Sequence, residues 1–515
     1  MKNKLLYTGM VSLVVALGGF LLGFDAGVVS GAVPFYKDYF GLNDWAIGWS
    51  VGCLTFGGMF GNLVAGWLAD RFGRKPVLSL AAVCYTVSAV SSALATSFWF
   101  FIAARMLGGV AVGLALLIAP VYIAEIAPSK LRGRFVSFNQ LNIVIGFSVV
   151  FFSNYYVLKI AESSAFEMLS LPNCWRWMLG LEAVPAALYF IFLFFVPRSP
   201  RWLMQRGRKE EALAVLNKVE SAEEANQSIA EIQEHIAKGE RSGATLRTRL
   251  SELFSRRMRF ILFIGLGLAF FQQITGINAI FFYAPIVFEK TGASLNDALL
   301  QQIIIGLVNL GFTIVAIYYI DRLGRRPLLL IGTAAMAVCL FTNAWAFHSA
   351  TYQLTSEAVT ELPQEIQAGL LPLVGQPYSS QTEFTDALDA VGAAAHADAL
   401  VKKSLNISAI LVLLAILGYI AAFAVSIGPV MWAMFSEIFP NHLRGVAISL
   451  AGLFNSLISY SVQQIFPWEL STLGPAGTFL IFGVFATLAF VFTIKFIPET
   501  KGKTLEELEE ILIKD

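Results

Sequence analysis

Long apolar runs separated by short polar clusters fill most of the chain. A helix of about 20 apolar residues crosses the roughly 30 Å hydrocarbon core of a bilayer. Twelve such runs fall at 6–30, 46–69, 77–96, 99–121, 135–158, 177–196, 260–288, 299–320, 328–348, 406–434, 446–467 and 476–497. None alternates as a barrel strand would, and backbone groups in lipid must be satisfied within their own segment, so the runs are helices. The first is too long for a signal peptide and leads directly into the second. The pattern predicts an all-α membrane protein of twelve transmembrane helices.

The polar clusters between the runs repeat. ADRFGRKP at 69–76 returns as IDRLGRRP at 320–327, and EIAPSKLRG at 125–133 returns as EIFPNHLRG at 437–445. Each first block follows the second run of its half and each second block follows the fourth. The chain therefore reads as two pseudo-symmetric six-helix bundles, 1–197 and 260–497, a parallel repeat of the kind found in transporters. Between them lies a linker, 198–259, in which Leu213 and Leu216, then Ile229, Ile232 and Ile236, recur at helical spacing and predict short amphipathic helices. A tail occupies 498–515. The second half is longer because of a loop at 349–405, whose stretch AVGAAAHADALVKK is Ala-rich enough for a short helix; it reads more simply as a tolerated decoration than as a lid or partner site.

Composition agrees and adds orientation. The 515 residues are 57% apolar and 14% charged. Of the 36 Lys and Arg, 28 fall on the side of the N-terminus and six on the other, which places both termini in the cytoplasm of a cell, with a bacterial inner membrane as the expected location. The net charge of +1 points to no nucleic acid, because the bases are used for topology. The four Cys are scattered, Cys174 alone on the outer side, and no disulfide is assigned; the four His are far apart, and neither metal nor cofactor is expected.

The repeated blocks put a carboxylate and several guanidinium groups on tight glycine turns. Arg forks bond carboxylates and free helix-end carbonyls. Glu125 with Arg132, and Glu437 with Arg444, offer partners seven residues apart. If these groups met across the boundary between the halves they would latch the cytoplasmic side shut. The expected latch set is Gly66, Asp70, Arg71, Gly73, Arg74, Glu125, Arg132, Glu182, Asp321, Arg322, Arg325, Glu437 and Arg444, with Glu182 bracing the cytoplasmic or mid-bundle network.

GWLADRFGRK, PVYIAEIAPSKLRG, FNQLNIVIG, CWRWMLGLEAVPA, PRSPRWL, QQITGINAIFFYAP, DRLGRRP, GPVMWAMFSEIFP and PETKG together carry a resemblance over essentially the full length. The chain resembles the sugar porter family of the major facilitator superfamily, and its bacterial sugar–proton symporters in particular. That resemblance implies the major facilitator fold and alternating access around one central sugar site. One departure stands out: Arg198 occupies the place of an acid in the family's Pro-Glu-Ser-Pro-Arg stretch, so a base replaces a carboxylate of the network, and either the cytoplasmic latch is weakened or Arg198 finds another acid such as Glu252.

Buried amides in lipid are costly unless they line a cavity, and amides with indole faces are what sugars bind. Gln272, Gln273 and Asn278 lie in one run broken by Gly276 and Pro285. Gln140, Asn309 and Asn455 add amides from three others, and Trp432 follows Gly428-Pro429. Each could be interhelical glue; the resemblance implies sugar contacts at these positions. Phe282 and Ser456 stand where the pattern has Tyr and Trp, so the expected substrate is a monosaccharide (glucose-, xylose- or galactose-like) without a firm choice among them.

Asp25, in GFLLGFDAGVVSG, is the remaining signal. An ionised Asp at the centre of a membrane helix costs roughly 2.5–3.5 kcal/mol on insertion scales and is usually functional and partnered. Only Arg105 and Glu182 share such depth, all in the first half. An adjacent Arg105 would favour the ionised carboxylate, and burial away from it the protonated one, a difference an alternating cycle can use to carry protons. The resemblance implies the same, since symporters carry Asp in this position. The expected function is a proton-coupled monosaccharide symporter; an uncoupled facilitator of the same fold and, with only a short tail for output, a membrane sugar sensor are the alternatives. The spans offer no HExxH motif and no Ser–His pair, so no enzyme is expected.

Overall fold

Twelve helical spans run antiparallel to one another in chain order: Lys2–Phe40, Asp44–Phe72, Arg74–Ala93, Phe98–Ile126, Arg132–Glu162, a broken sixth, a broken seventh, Leu295–Leu323, Arg325–His348, a broken tenth, Arg444–Thr472 and Gly474–Phe496. The computed structural model describes residues 2–128, 131–163, 168–242, 246–360, 364–440, 442–503 and 507–508; the side chains of Arg132, Ile236 and Asp321 lie outside the described set. These spans are the twelve that the apolar runs predict, extended at their ends by polar turns.

Local chemistry explains each break. The sixth span divides into Cys174–Gly180 and Ala183–Leu193 because Pro185 has no N–H for the carbonyl of Leu181 and its ring crowds that carbonyl. The seventh divides into Arg259–Ile274 and Ile277–Glu289 at Gly276, whose φ of +93° suits glycine and whose missing Cβ leaves room for Phe482. The Tyr419 hydroxyl donates to the freed carbonyl of Thr275 at 3.0 Å. The tenth divides into Ala409–Val425 and Ile427–Ile438 at Ser426, ahead of Gly428-Pro429, because Pro429 occupies the third position of the new helix and leaves the carbonyl of Val425 without its donor.

Close packing within the first half rests on small residues. Gly57, Gly61, Gly109 and Gly113 bring spans 2 and 4 into backbone contact, and Gly23 and Gly146 do the same for spans 1 and 5. Between the halves, contacts gather on the side away from the termini, the far side. There Trp45 stacks on Trp468 with ring centroids 6.1 Å apart and Gln464 donates to the carbonyl of Trp45 at 2.9 Å, and nearer mid-span Phe147 stacks on Phe281 at 5.3 Å. Among the described residues, the one hydrogen bond from the second half toward the terminus-side elements of the first runs through the linker, His442 to Glu252 at 2.8 Å.

The linker forms Pro200–Gln205, Lys209–Val219, Ala222–Ser242 and Leu246–Leu253. Leu216 and Ile229 are buried and Leu213 and Ile232 half-buried, packed under the first bundle with Trp202, while Lys4 donates to the carbonyls of Asn217 and Glu220. The long loop of the second half is more structured than its sequence suggests. It holds a three-stranded antiparallel sheet, with β1 (Thr351–Gln353) between β2 (Pro377–Tyr378) and β3 (Leu405–Asn406), and short helices including Gln381–Ala390 and Ala397–Ser404. Its own core contains Leu354, Phe384, Leu388 and Leu400. The expected Ala-rich helix is present only over its second part.

Candidate transport site

In the first half, span 1 delivers Asp25 to a fully buried position where Arg105 of span 4 meets it. One guanidinium nitrogen of Arg105 bonds the Asp25 carboxylate, and the other donates to the Asp25 backbone carbonyl at 3.1 Å. Gly108, one turn beyond Arg105, makes the approach possible, since a Cβ there would lie 2.8 Å from Asp25 Oδ2. Glu182 sits in the break of span 6, 2% exposed and close enough to Asp25 for the two carboxylates to feel one another. Asp25 Oδ2 and Glu182 Oε1 both lack a donor. Two carboxylates can bond one another only when one carries a proton, and a buried group of one guanidinium and two carboxylates is electrically neutral only with that proton bound. Of the two places expected for Glu182, the cytoplasmic and the mid-bundle network, it takes the mid-bundle one beside Asp25 and Arg105, and its grouping with the cytoplasmic latch residues is corrected.

In the second half, the breaks of spans 7 and 10 and the face of span 11 converge on the amides. Gln272 donates to the carbonyl of Gly428 at 3.0 Å, so the break in span 10 is satisfied by a side chain of span 7. Gln273 donates to Asn455 Oδ1 at 3.1 Å, and Asn455 donates to Gln272 Oε1 at 2.8 Å. Asn278 donates to Gln273 Oε1 at 2.8 Å and to Ser459 Oγ at 2.6 Å. Four of the seven expected sugar residues thus form one hydrogen-bonded cluster. Amide–amide bonds of this kind are close in strength to amide–hydroxyl bonds, so the cluster can exchange one for the other at small net cost. The indole of Trp432, 42% exposed, lies near Gly452, one turn before Asn455. Gln140 is exposed on span 5 and Asn309 is buried on span 8; neither is bonded to the cluster. Phe282 packs on Phe147 of the first half, ring centroids 6.4 Å apart, and Ser456 bonds the carbonyl of Gly452 on its own helix.

Sequence reasoning missed Ser459 and Gln463. Asn455, Ser459 and Gln463 recur every fourth residue, hence on one face of a helix. That spacing was the available signal.

The repeated blocks form two matching charge clusters on the terminus side, each inside its own half. Arg74 pairs with Glu125 at 2.9 Å and Arg325 with Glu437 at 2.8 Å. Arg74 also caps the carbonyl of Ala69 as Arg325 caps Ile320, and Ser199 bonds Glu125 as Thr500 bonds Glu437. The glycine turns are congruent, with φ and ψ of 95° and 162° at Gly73 and 93° and 163° at Gly324. The expectation that these carboxylates meet partners across the two halves is therefore corrected for this conformation. Arg444 bonds the carbonyl of Phe439 rather than Glu437. Arg71 lies over Trp67 and Phe72, Arg322 over Tyr318, Asp70 is largely exposed 3.5 Å from Arg74, and Gly66 faces outward with no neighbour. Arg132 and Asp321 fall outside the described side chains.

The departure at Arg198 breaks the symmetry at one point. Glu499 receives the backbone N–H groups of Arg325 and Arg326, each at 3.1 Å, and its carboxylate packs against Gly324. At Gly73 that place is taken by the Trp202 indole, with Arg198 and Arg206 stacked on the ring at 5.6 Å each. Arg198 thus finds an aromatic face and not Glu252, which pairs with His442.

Comparison with known proteins bears on this arrangement. A family profile described as sugar (and other) transporter matches residues 11–360 and 388–512. The arabinose–proton symporter of Bacillus subtilis is 34% identical over 98% of this chain and 95% of its own. The D-xylose–proton symporter of Escherichia coli is 35% identical over 98% and 96%. The solved inward-open structure of the E. coli xylose transporter superimposes with a TM-score of 0.75 at 34% identity, covering 98% of this chain and 99% of that one. The chain is a multi-pass membrane protein of the major facilitator fold, a transporter and not an enzyme, and it belongs to the sugar (and other) transporter family.

Proposed function

We propose that the protein is a proton-coupled monosaccharide symporter that works by alternating access, with both termini in the cytoplasm of a bacterial cell and the membrane as its medium. The observation that carries this reading is the buried triad of Asp25, Arg105 and Glu182, two carboxylates on one guanidinium, which is neutral only with a proton bound. An uncoupled facilitator has no use for so costly a group, since a buried ion pair is a poor stabiliser compared with apolar packing. The charge pattern supports the orientation, and the relatives' substrates, arabinose and xylose, support a monosaccharide. The amide cluster of Gln272, Gln273, Asn278 and Asn455, with Trp432 beside it, holds the sugar, and Gln140 and Asn309 complete the expected contact set. Asp25 is the proton site opposed to Arg105: separation from the guanidinium favours the protonated carboxylate and contact the ionised one, a difference that lets the cycle load a proton on one side of the membrane and release it on the other.

Moving one charge inward is worth about 2.3 kcal/mol per 100 mV, enough for about 40-fold accumulation. The test is sugar uptake into proteoliposomes under an imposed pH gradient, with the wild type beside Asp25→Asn. The variant is expected to lose accumulation and to keep sugar counterflow. Unchanged accumulation in the variant would overturn the coupling role and favour a facilitator. No sugar movement in the wild type would favour a sensor.

A further inference from the structure

The amide cluster does not end within its own half. Ser459 accepts from Asn278 and also from Gln463 Nε2 at 2.8 Å. Gln463 Oε1 in turn accepts from the hydroxyl of Thr55 at 3.0 Å. Thr55 belongs to span 2, in the other bundle. Gln463 is completely buried, and the hydroxyl of Tyr283, on the half of span 7 beyond its break, bonds the Gln463 backbone carbonyl at 3.0 Å. The line of bonds therefore runs Gln273, Asn278, Ser459, Gln463, Thr55, from the sugar cluster to the opposite half.

Its place along the contact between the halves matters. Spans 2 and 11 also meet through Ser471 and Asp44, Trp468 and Trp45, and Gln464 and the Trp45 carbonyl. Those contacts lie near the far-side ends of both helices, among exposed residues. Aromatic contacts of Tyr460 with Trp49 and Phe56 flank Thr55. Thr55 and Gln463 are the innermost polar pair of this zip and the one joined to the amide cluster.

We infer that Thr55 and Gln463 are positioning residues for the transport cycle: their hydrogen bond clasps spans 2 and 11 and holds the far side closed next to the sugar cluster. The pair must part whenever the far side opens. Each partner is then left with an unmet bond beside the site, and a sugar or water has to satisfy it. The inference rests on the alternating-access reading but is tested without transport.

The experiment is amide hydrogen exchange on the full-length protein in lipid nanodiscs, without sugar, for wild type, Thr55→Val, Gln463→Leu and the double variant. Loss of a net buried hydrogen bond corresponds to about a two- to tenfold change in the balance of the two states. Thr55→Val is expected to speed exchange at the far-side ends of spans 2 and 11 by about that factor. It should also slow exchange at the terminus-side ends of spans 4 and 10, because closing one side accompanies opening the other. Gln463→Leu should do the same, the double variant no more than either single one, and Thr55→Ser should restore the wild-type pattern. Faster far-side exchange with an unchanged terminus side means local loosening and overturns the inference; so does no change at all, or additive effects in the double variant. A variant that fails to fold is replaced by its partner on the other helix. The wild-type uptake assay judges the transport reading separately, so the two can fail independently.

Discussion

Asp25 shows how much one residue's surroundings decide. Its neighbours on span 1 are apolar, yet its carboxylate meets a guanidinium from span 4 and a second carboxylate from the break of span 6. Gly108 is the least visible part of that arrangement, and it sets the geometry. A methyl group there would stand 2.8 Å from Asp25 Oδ2 and 2.5 Å from Ser88 Oγ, closer than nonbonded carbon and oxygen sit, so the carboxylate has to shift against Arg105. Gly108→Ala is therefore expected to lower pH-gradient-driven accumulation while leaving counterflow, because the amide cluster proposed to hold the sugar lies in the other half. Gly311→Ala, at a helix position with open space, is the matching control and should leave both unchanged. Equal loss of counterflow and accumulation in Gly108→Ala would mean that the glycine serves packing of the bundle alone.

At the scale of elements, the repeat gives each half an internal standard. Glu499 caps the start of span 9 through two backbone N–H groups, and among the described residues no carboxylate does this for span 3, where Trp202 covers the glycine turn. Charge-assisted bonds of this kind are worth about 1.5–3 kcal/mol each, less where water reaches them. Glu499→Gln is expected to lower the apparent melting temperature of the protein in detergent. Arg198→Glu should leave it nearly unchanged, because the indole already fills the place a carboxylate would need. A rise in melting temperature for Arg198→Glu would show that the indole yields and the acid fits.

The same comparison explains what the sequence made legible. Span length, the repeat and the breaks at Gly276 and before Pro429 are local or periodic, and lipid leaves the chain few alternatives; the second break expected at Pro285 is absent, because that proline is carried inside the helix Ile277–Glu289. The partners of Glu125 and Glu437 were not legible. A carboxylate on one helix end faces several guanidinium groups at long separations, and nothing in the order of residues says whether Arg74 or a group of the other half comes nearest. The amide cluster was half legible. Amide residues in lipid announce themselves, but Ser459 and Thr55 are hydroxyls that membrane helices also satisfy on their own preceding turn, and Gln463 gains meaning only from its four-residue spacing to Asn455.

For the whole molecule, the question is what the far-side insertion contributes. It folds around its own core, from Leu354 to Leu400, and its strands β1 and β3 pair where the chain enters and leaves, Thr351 opposite Asn406. An insertion whose ends are adjacent closes with a short turn at little loop-closure cost, as surface insertions generally do. The family profile skips 361–387, which falls wholly inside it. The spans it joins meet directly as well, since Gly332 of span 9 packs against Ser426 at the break of span 10. The contacts that close the far side, Trp45 with Trp468, Thr55 with Gln463 and Phe147 with Phe281, all lie in other elements. Replacing 352–405 by a short glycine-containing turn is therefore expected to leave sugar counterflow and gradient-driven accumulation near wild-type values in proteoliposomes. A lid would behave differently: its removal would change the rate of entry from the far side while leaving efflux through the terminus side intact. Measuring uptake and efflux separately distinguishes the two, and a selective loss of far-side entry would assign the insertion a gating role that its self-contained core argues against.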